Sequence, residues 1–174
     1  STRLSDYDNA FPFKAGSMNQ SSGLLFARGQ KNISITGFGT IDGQGGNKTF
    51  QFGNDADGGP KRPKIIYFVE CKGIVVTDVT LRNSAYWVQH YEKCEDVTIR
   101  GLKVFSHCNY NNDGLDIDAK NATISDCYID VEDDAICFKS DHPEFCENIT
   151  VTNCVTASNC NAIKFGTASH GGYR

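Results

Sequence analysis

Three aspartates have the type and spacing to do chemistry. Asp113 sits in Asn111-Asn112-Asp113-Gly114, and Asp133 and Asp134 are adjacent in Glu132-Asp133-Asp134-Ala135. Asp113 and Asp134 are 21 residues apart. In a chain that returns on itself with about that period, all three carboxyls face one groove on neighbouring turns, separated by about one strand spacing of ~4.8 Å. Carboxyls crowded in this way cannot all ionise at their ordinary pKa, so at least one is pushed upward. A protonated carboxyl beside an ionised one is the equipment for hydrolysing a glycosidic bond: one gives a proton to the leaving oxygen and the other activates water. A calcium site or a solvated polar turn draws on the same residue types. Lys139 follows Asp134 on the same segment, and Lys164 lies 25 residues further on. A lysine ladder next to carboxylates suits an acidic sugar, and it equally suits pairing with the aspartates themselves. The four histidines, at 90, 107, 142 and 170, show no HxH or HExxH spacing, so no histidine metal site is expected. His107 and His170 fall in loops that reach a groove.

The elements that position these residues repeat. Five segments share a polar pair followed by alternating apolar and Thr/Ser residues: Lys31–Ile35, Lys72–Thr77, Glu95–Ile99, Lys120–Ile124 and Glu147–Val151. Ile74, Val97, Ala122 and Ile149 recur at steps of 23, 25 and 27 residues, and Ile33 precedes Ile74 by 41, which is one repeat plus an insertion. Between them lie short β-branched or aromatic runs at 65–69, 86–90, 114–118, 135–139 and 162–165, and a third, shorter class at 79–81, 102–105, 127–129 and 154–156. No segment sustains a 3.6-residue apolar period. Three short strands per ~25 residues in fixed order predict an all-β coil stacked on the previous coil, a parallel β-helix of five to six coils. A single domain is expected over 1–174, with 1–24 as an N-terminal cover anchored by Phe11 and Phe13 and 25–174 as coils. The stretch from Gly43 to Pro63 reads as a long loop.

Composition narrows the function classes. The 174 residues are 39% hydrophobic and 22% charged, with a formal charge of −4. This is too apolar for a disordered chain. It lacks the basic balance of a nucleic-acid binder, and no run approaches the ~20 apolar residues of a membrane helix. The eight cysteines form no CxxC pair, which leaves zinc ribbons and thioredoxin-like motifs without support. Buried thiols stacked along the coils are the leading expectation, with a few disulfides as the rival.

Five stretches together resemble glycoside hydrolase family 28, the polygalacturonase family. They are Gly39-Thr40-Ile41-Asp42-Gly43-Gln44-Gly45, Arg62-Pro63 before Ile65–Phe68, Leu81-Arg82-Asn83-Ser84-Ala85-Tyr86-Trp87, Asn111–Gly114, and Asp133–Ser140 in the pattern DD-x-I-x-x-K-S. The resemblance implies a right-handed β-helix that hydrolyses a galacturonate-containing pectic polysaccharide or oligosaccharide with inversion, as a secreted or periplasmic monomer without cofactor or metal. One member of the Asp133/Asp134 pair would be the acid, and Asp113 with the other member would activate water. Asn111, Lys139, Asn161, Lys164 and His170 would contact substrate. Two departures from the family stand out. Asn161 occupies the place of a histidine, for which His170 is an unaligned substitute, and the expected Arg-x-Lys clamp does not occur before Arg174. The chain is therefore expected to be the N-terminal and central part of a longer enzyme. A non-catalytic carbohydrate-binding β-helix and a β-helix lyase or epimerase are the alternatives.

Overall fold

The computed structural model describes residues 1–7, 22–50, 62–144 and 146–174. Most of the expected cover, with Phe11 and Phe13, and most of the insertion between Gly43 and Pro63 lie outside them. Among the described residues the regular structure is strand, with short 3-10 turns at Leu4–Tyr7 and Lys48–Phe50. No helix among the described residues is long and apolar enough to cross a membrane.

The strands are β1 (Gly23–Arg28), β2 (Lys31–Thr36), β3 (Thr40–Asp42), β4 (Lys64–Val69), β5 (Lys72–Thr77), β6 (Thr80–Arg82), β7 (Gln89–Arg100), β8 (Lys103–Ser106), β9 (Leu115–Ser125), β10 (Tyr128–Val131), β11 (Ile136–Ser140), β12 (Glu147–Thr152), β13 (Val155–Ser158) and β14 (Ile163–Ser169). One face stacks β1-β4-β7-β9-β11-β14, and a second stacks β3-β6-β8-β10-β13. All of these pairs are parallel. This is the all-β parallel solenoid that the repeat predicts. The two longest strands differ from expectation: β7 and β9 each fuse two segments that read as separate, because the backbone continues its pairing around the corner.

The polar pair at the head of each repeat is that corner. Asn32, Gly73, Asp96, Asn121 and Asn148 follow in-register residues on β2, β5, β7, β9 and β12, and all five have positive φ. Gly, Asn and Asp bear this left-handed conformation at least cost. Their side chains also join the coils: Asn148 Nδ2 donates to Asn121 Oδ1 at 3.1 Å, and Asn121 Nδ2 donates to Asp96 Oδ1 at 3.1 Å. A second corner repeats the device with Gly37, Asp78, Gly101, Asp126 and Asn153.

Inside the corners, like side chains stack on like. Ile33, Ile74, Val97, Ala122 and Ile149 form one column, and Ile35, Val76, Ile99, Ile124 and Val151 another. Each fully buried aliphatic side chain contributes ~1.5–3 kcal/mol. All eight cysteines are free thiols, and Cys71, Cys94, Cys127, Cys137 and Cys146 are buried as small apolar groups. The columns fix the coil register, and the register places the turns that enter β9, β11 and β14 directly above one another. Replacing Asn121 tests the corner. Asn121→Ala keeps a strained positive φ and loses both ladder bonds, so it should cost about 1–2 kcal/mol in urea unfolding. Asn121→Gly, which loses only the bonds, should cost less.

Candidate active site

The site is built on the turns that lead into β9, β11 and β14. Leu115, Ile136 and Ile163 are register partners. The residues two places earlier, Asp113, Asp134 and Asn161, therefore form one ladder across three coils. Backbone bonds carry it: Gly114 N–H donates to Asp134 O at 2.8 Å, and Ala135 N–H donates to Asn161 O at 2.8 Å. Gly114 has to be glycine here, because a Cβ would stand 2.7 Å from Ala135 O and 2.5 Å from Ile129 Cγ2. The three sequence-predicted aspartates thus come together.

Their environments differ sharply. Asp134 is 1% exposed. Its Oδ1 accepts from Asn161 Nδ2 at 2.7 Å and its Oδ2 from Lys164 Nζ at 2.7 Å. Burial pushes this carboxyl up, but the two hydrogen bonds and the lysine charge win and hold it below the ordinary carboxylate range. The bond to Asp134 in turn raises the Lys164 ammonium. Asp113 is also buried and is driven strongly the other way, by burial first and then by the charges of Asp116 and Asp133. Its Oδ1 has no hydrogen-bond partner within the described chain. Asp133 is half-buried. Its carboxyl accepts from the Asp134 N–H at 2.9 Å and from Asn111 Nδ2 at 3.4 Å. Arg62 stands behind Asn111, donating to its Oδ1 at 3.2 Å and to Tyr110 O at 2.6 Å, with its guanidinium over the Tyr110 ring. Asn112 braces the loop by donating to Ser84 O and Tyr86 O.

The remaining candidates are placed as follows. Lys139 is buried under the Trp87 ring, 3.3 Å from Asp116 Oδ1. Lys164 is partly exposed, with its Nζ on Asp134. His170 is exposed, and its backbone N–H donates to Ser140 O. Ser140 lies six residues along the strand direction from Asp134, or roughly 20 Å at the strand rise, so His170 does not join the trio. Asp116 is a further carboxyl at the site, beyond the three aspartates that the spacing singles out. A signal was present: Leu115-Asp116-Ile117-Asp118 alternates, which turns Asp116 to the outer face, and Asp116 pairs with Cys137 21 residues on, the interval that separates Asp113 from Asp134. Oxygen and sulfur atoms of Asp113, Asp116 and Cys137 lie within 4.8 Å of one another, as do those of Asp133, Asp134 and Cys160. Lys139 and Lys164 already supply a cation to each group.

The fold and site define an all-β parallel solenoid with carboxyls clustered at the turns leading into adjacent strands, and known proteins narrow the class. The sequence matches glycosyl hydrolases family 28 over residues 9–169, and the chain belongs to that family. It is 34% identical over 128 residues to a probable polygalacturonase of Vitis vinifera, covering 70% of this chain and 25% of that protein. It is 32% identical over 135 residues to a polygalacturonase of Juniperus ashei, covering 73% and 26%. The fold superposes on an exopolygalacturonase from Thermotoga maritima with a TM-score of 0.77 at 26% identity, over 88% of this chain and 45% of that one. A family 28 exopolygalacturonase from Yersinia enterocolitica gives the same TM-score at 17% identity and supports the fold alone. The chain spans about a quarter of the length of these two curated relatives.

The Asp134–Lys164 pair predicts a pH-dependent stability. A carboxyl whose folded pKa is depressed stabilises above its unfolded pKa, and that contribution is lost as pH falls through the folded value. Lys164→Met should therefore lower Tm near neutral pH by about 2–4 °C, equivalent to roughly 1 kcal/mol for a partly exposed pair. The difference from wild type should shrink below about pH 4. Thermal melts across pH 2–7 check this.

Proposed function

We propose that the protein hydrolyses glycosidic bonds in a galacturonate-containing pectic glycan, with inversion, using the carboxyls of Asp113, Asp133 and Asp134. The observation that carries the reading is the double hold on Asp134. A carboxyl bound at 2.7 Å by both Lys164 and Asn161 is kept ionised, so it suits the base and not the acid. Asp134 takes the proton of the attacking water, and Asp113, one strand spacing away on the same ladder, flanks that water. Asp133 is then the donor to the leaving oxygen. It is the member of the trio with neither a lysine on its carboxyl nor full enclosure, and it keeps access to the groove. Inversion needs the acid and base carboxyls ~6.5–9.5 Å apart, with the water between.

Lys164 also supports an acidic substrate. An ammonium has three donors, and the side chain remains 31% exposed while bonded to Asp134. It has donors left for a sugar carboxylate. Asn161, on the same ladder, joins it at the groove surface. Lys139, at 7% exposure, is not offered to the sugar in this way. A pectic substrate lies outside the cell that degrades it, so the reading carries a secreted or periplasmic location with it.

The test is the release of reducing ends from polygalacturonan by the full-length protein, with the anomer of the new end followed by NMR. Wild type should give the inverted anomer. Asp113→Asn, Asp133→Asn and Asp134→Asn should each lower kcat by about 10²–10⁴-fold. Binding of oligogalacturonide without turnover would replace this reading with a carbohydrate-binding one, and unsaturated products would replace it with a lyase.

A further inference from the structure

Behind the carboxyl trio lies a second layer of titratable groups, buried except at Lys164. Register stacks His90, Asp116, Cys137 and Lys164 on β7, β9, β11 and β14. Asp116 is 0% exposed, and its neighbour one strand back, His90, is also 0% exposed and lies between the rings of Tyr67 and Trp87. The charge that faces Asp116 most closely is Lys139 Nζ, 3.3 Å from Oδ1. Lys139 in turn donates to Gly166 O at 3.3 Å and lies 4.5 Å from the Trp87 ring centroid. A lysine so enclosed would ordinarily lose its proton. Burial lowers it, but the charges of Asp116, Cys137 and Asp113 together more than offset this, and the ammonium is kept. Burial raises the Asp116 carboxyl to about 7, although Lys139 and, further off, Lys64 oppose it. Carboxylate oxygens of Asp113 and Asp116 lie within 4.8 Å of each other.

We propose that Lys139 and Asp116 form a buried positioning pair in which the Asp116 carboxylate offsets the pull of Lys139 on Asp113, so that the Asp113 carboxyl can hold a proton. Lys139 thereby acts on the reaction through Asp113 and not by contact with the sugar. This rests on the reading that Asp113 flanks the attacking water. Asp116 repels charge on Asp113 and Lys139 attracts it, the aspartate more strongly, so removing either member alone shifts the site in a known direction. The other groups facing Asp113 are Asp133 and Asp134 on the turn before β11, Cys137 within β11 and Tyr86. None of them is altered by substitution at Asp116. Removing Asp116 leaves Lys139 with Asp113 as its counter-charge, besides Gly166 O and the Trp87 ring, so the ammonium is kept.

The experiment follows the Asp113 carboxyl by carbon-13 NMR in full-length protein labelled at aspartate, with its resonance assigned by Asp113→Asn. Asp116→Asn exposes Asp113 to an unbalanced Lys139, and its titration midpoint should fall by about one pH unit or more. Adding Lys139→Met to Asp116→Asn removes that cation, and the midpoint should climb back toward the wild-type value. A lost structural contact would not be repaired by a second loss. Asp116→Ser serves in place of Asp116→Asn if the latter does not fold. An Asp113 midpoint unchanged in a folded Asp116 variant would overturn the proposal. So would a double variant whose midpoint stays as low as that of the single. If Asp113→Asn itself keeps full turnover, the functional reading fails and the titration result still stands, so the two failures are distinct.

Discussion

The site depends on one constraint, the parallel register of the coils. A residue's place along its strand determines what lies ~4.8 Å above and below it. Because Leu115, Ile136 and Ile163 are partners, Asp113, Asp134 and Asn161 have to coincide, and so do Asp116, Cys137 and Lys164. The apolar columns inside and the left-handed corners at Asn32, Gly73, Asp96, Asn121 and Asn148 hold that register. A slip by one residue in β9 would send Leu115 and Ile117 outward and Asp116 into the core, which burial alone forbids.

Stacking also creates the electrostatic difficulty that the lysines relieve. A solenoid repeats positions, so a carboxyl on one coil tends to find a carboxyl on the next. Asp113, Asp116, Asp133 and Asp134 fall within two neighbouring turns, and three of them are buried. Two cations answer this by different routes. Lys164 approaches from the following coil and bonds to Asp134 at the groove surface. Lys139, on β11, reaches back to Asp116 on β9 and is closed in beneath Trp87. The ammonium that keeps some exposure can serve a ligand as well as a neighbour; the enclosed one can serve only its neighbours.

The fold was legible because the repeat is local and redundant. Each coil carries the same polar pair and the same alternation, and the pair proved to be the corner with positive φ. Two strand boundaries were not legible, since β7 and β9 keep their pairing through the corner and nothing in Lys93 or Ala119 announces that. The meeting of Asp113 with Asp133 and Asp134 was legible from the 21-residue interval. The partners of Lys139 and Lys164 were not, because a lysine can extend toward residues above, below or beside its own rung. Lys164 shares a rung with Cys137 and Asp116 but bonds to Asp134, three places earlier on the neighbouring coil. Spacing supplies the rung, and only packing decides the direction of a long side chain.

The asymmetry of Asp113 and Asp134 follows from their neighbours on the next coil. The two occupy equivalent ladder positions, and burial pushes both carboxyls up. What separates them is that Asp134 is followed by Asn161 and Lys164, which donate to it, whereas Asp113 is followed by Asp134 itself and has Asp116 nearby. One end of the ladder is therefore stabilised as an anion, while the other resists ionisation. A repeated backbone carries two unlike carboxyls because the coil that follows each differs, offering Asn161 and Lys164 to Asp134 but Asp134 and Cys137 to Asp113.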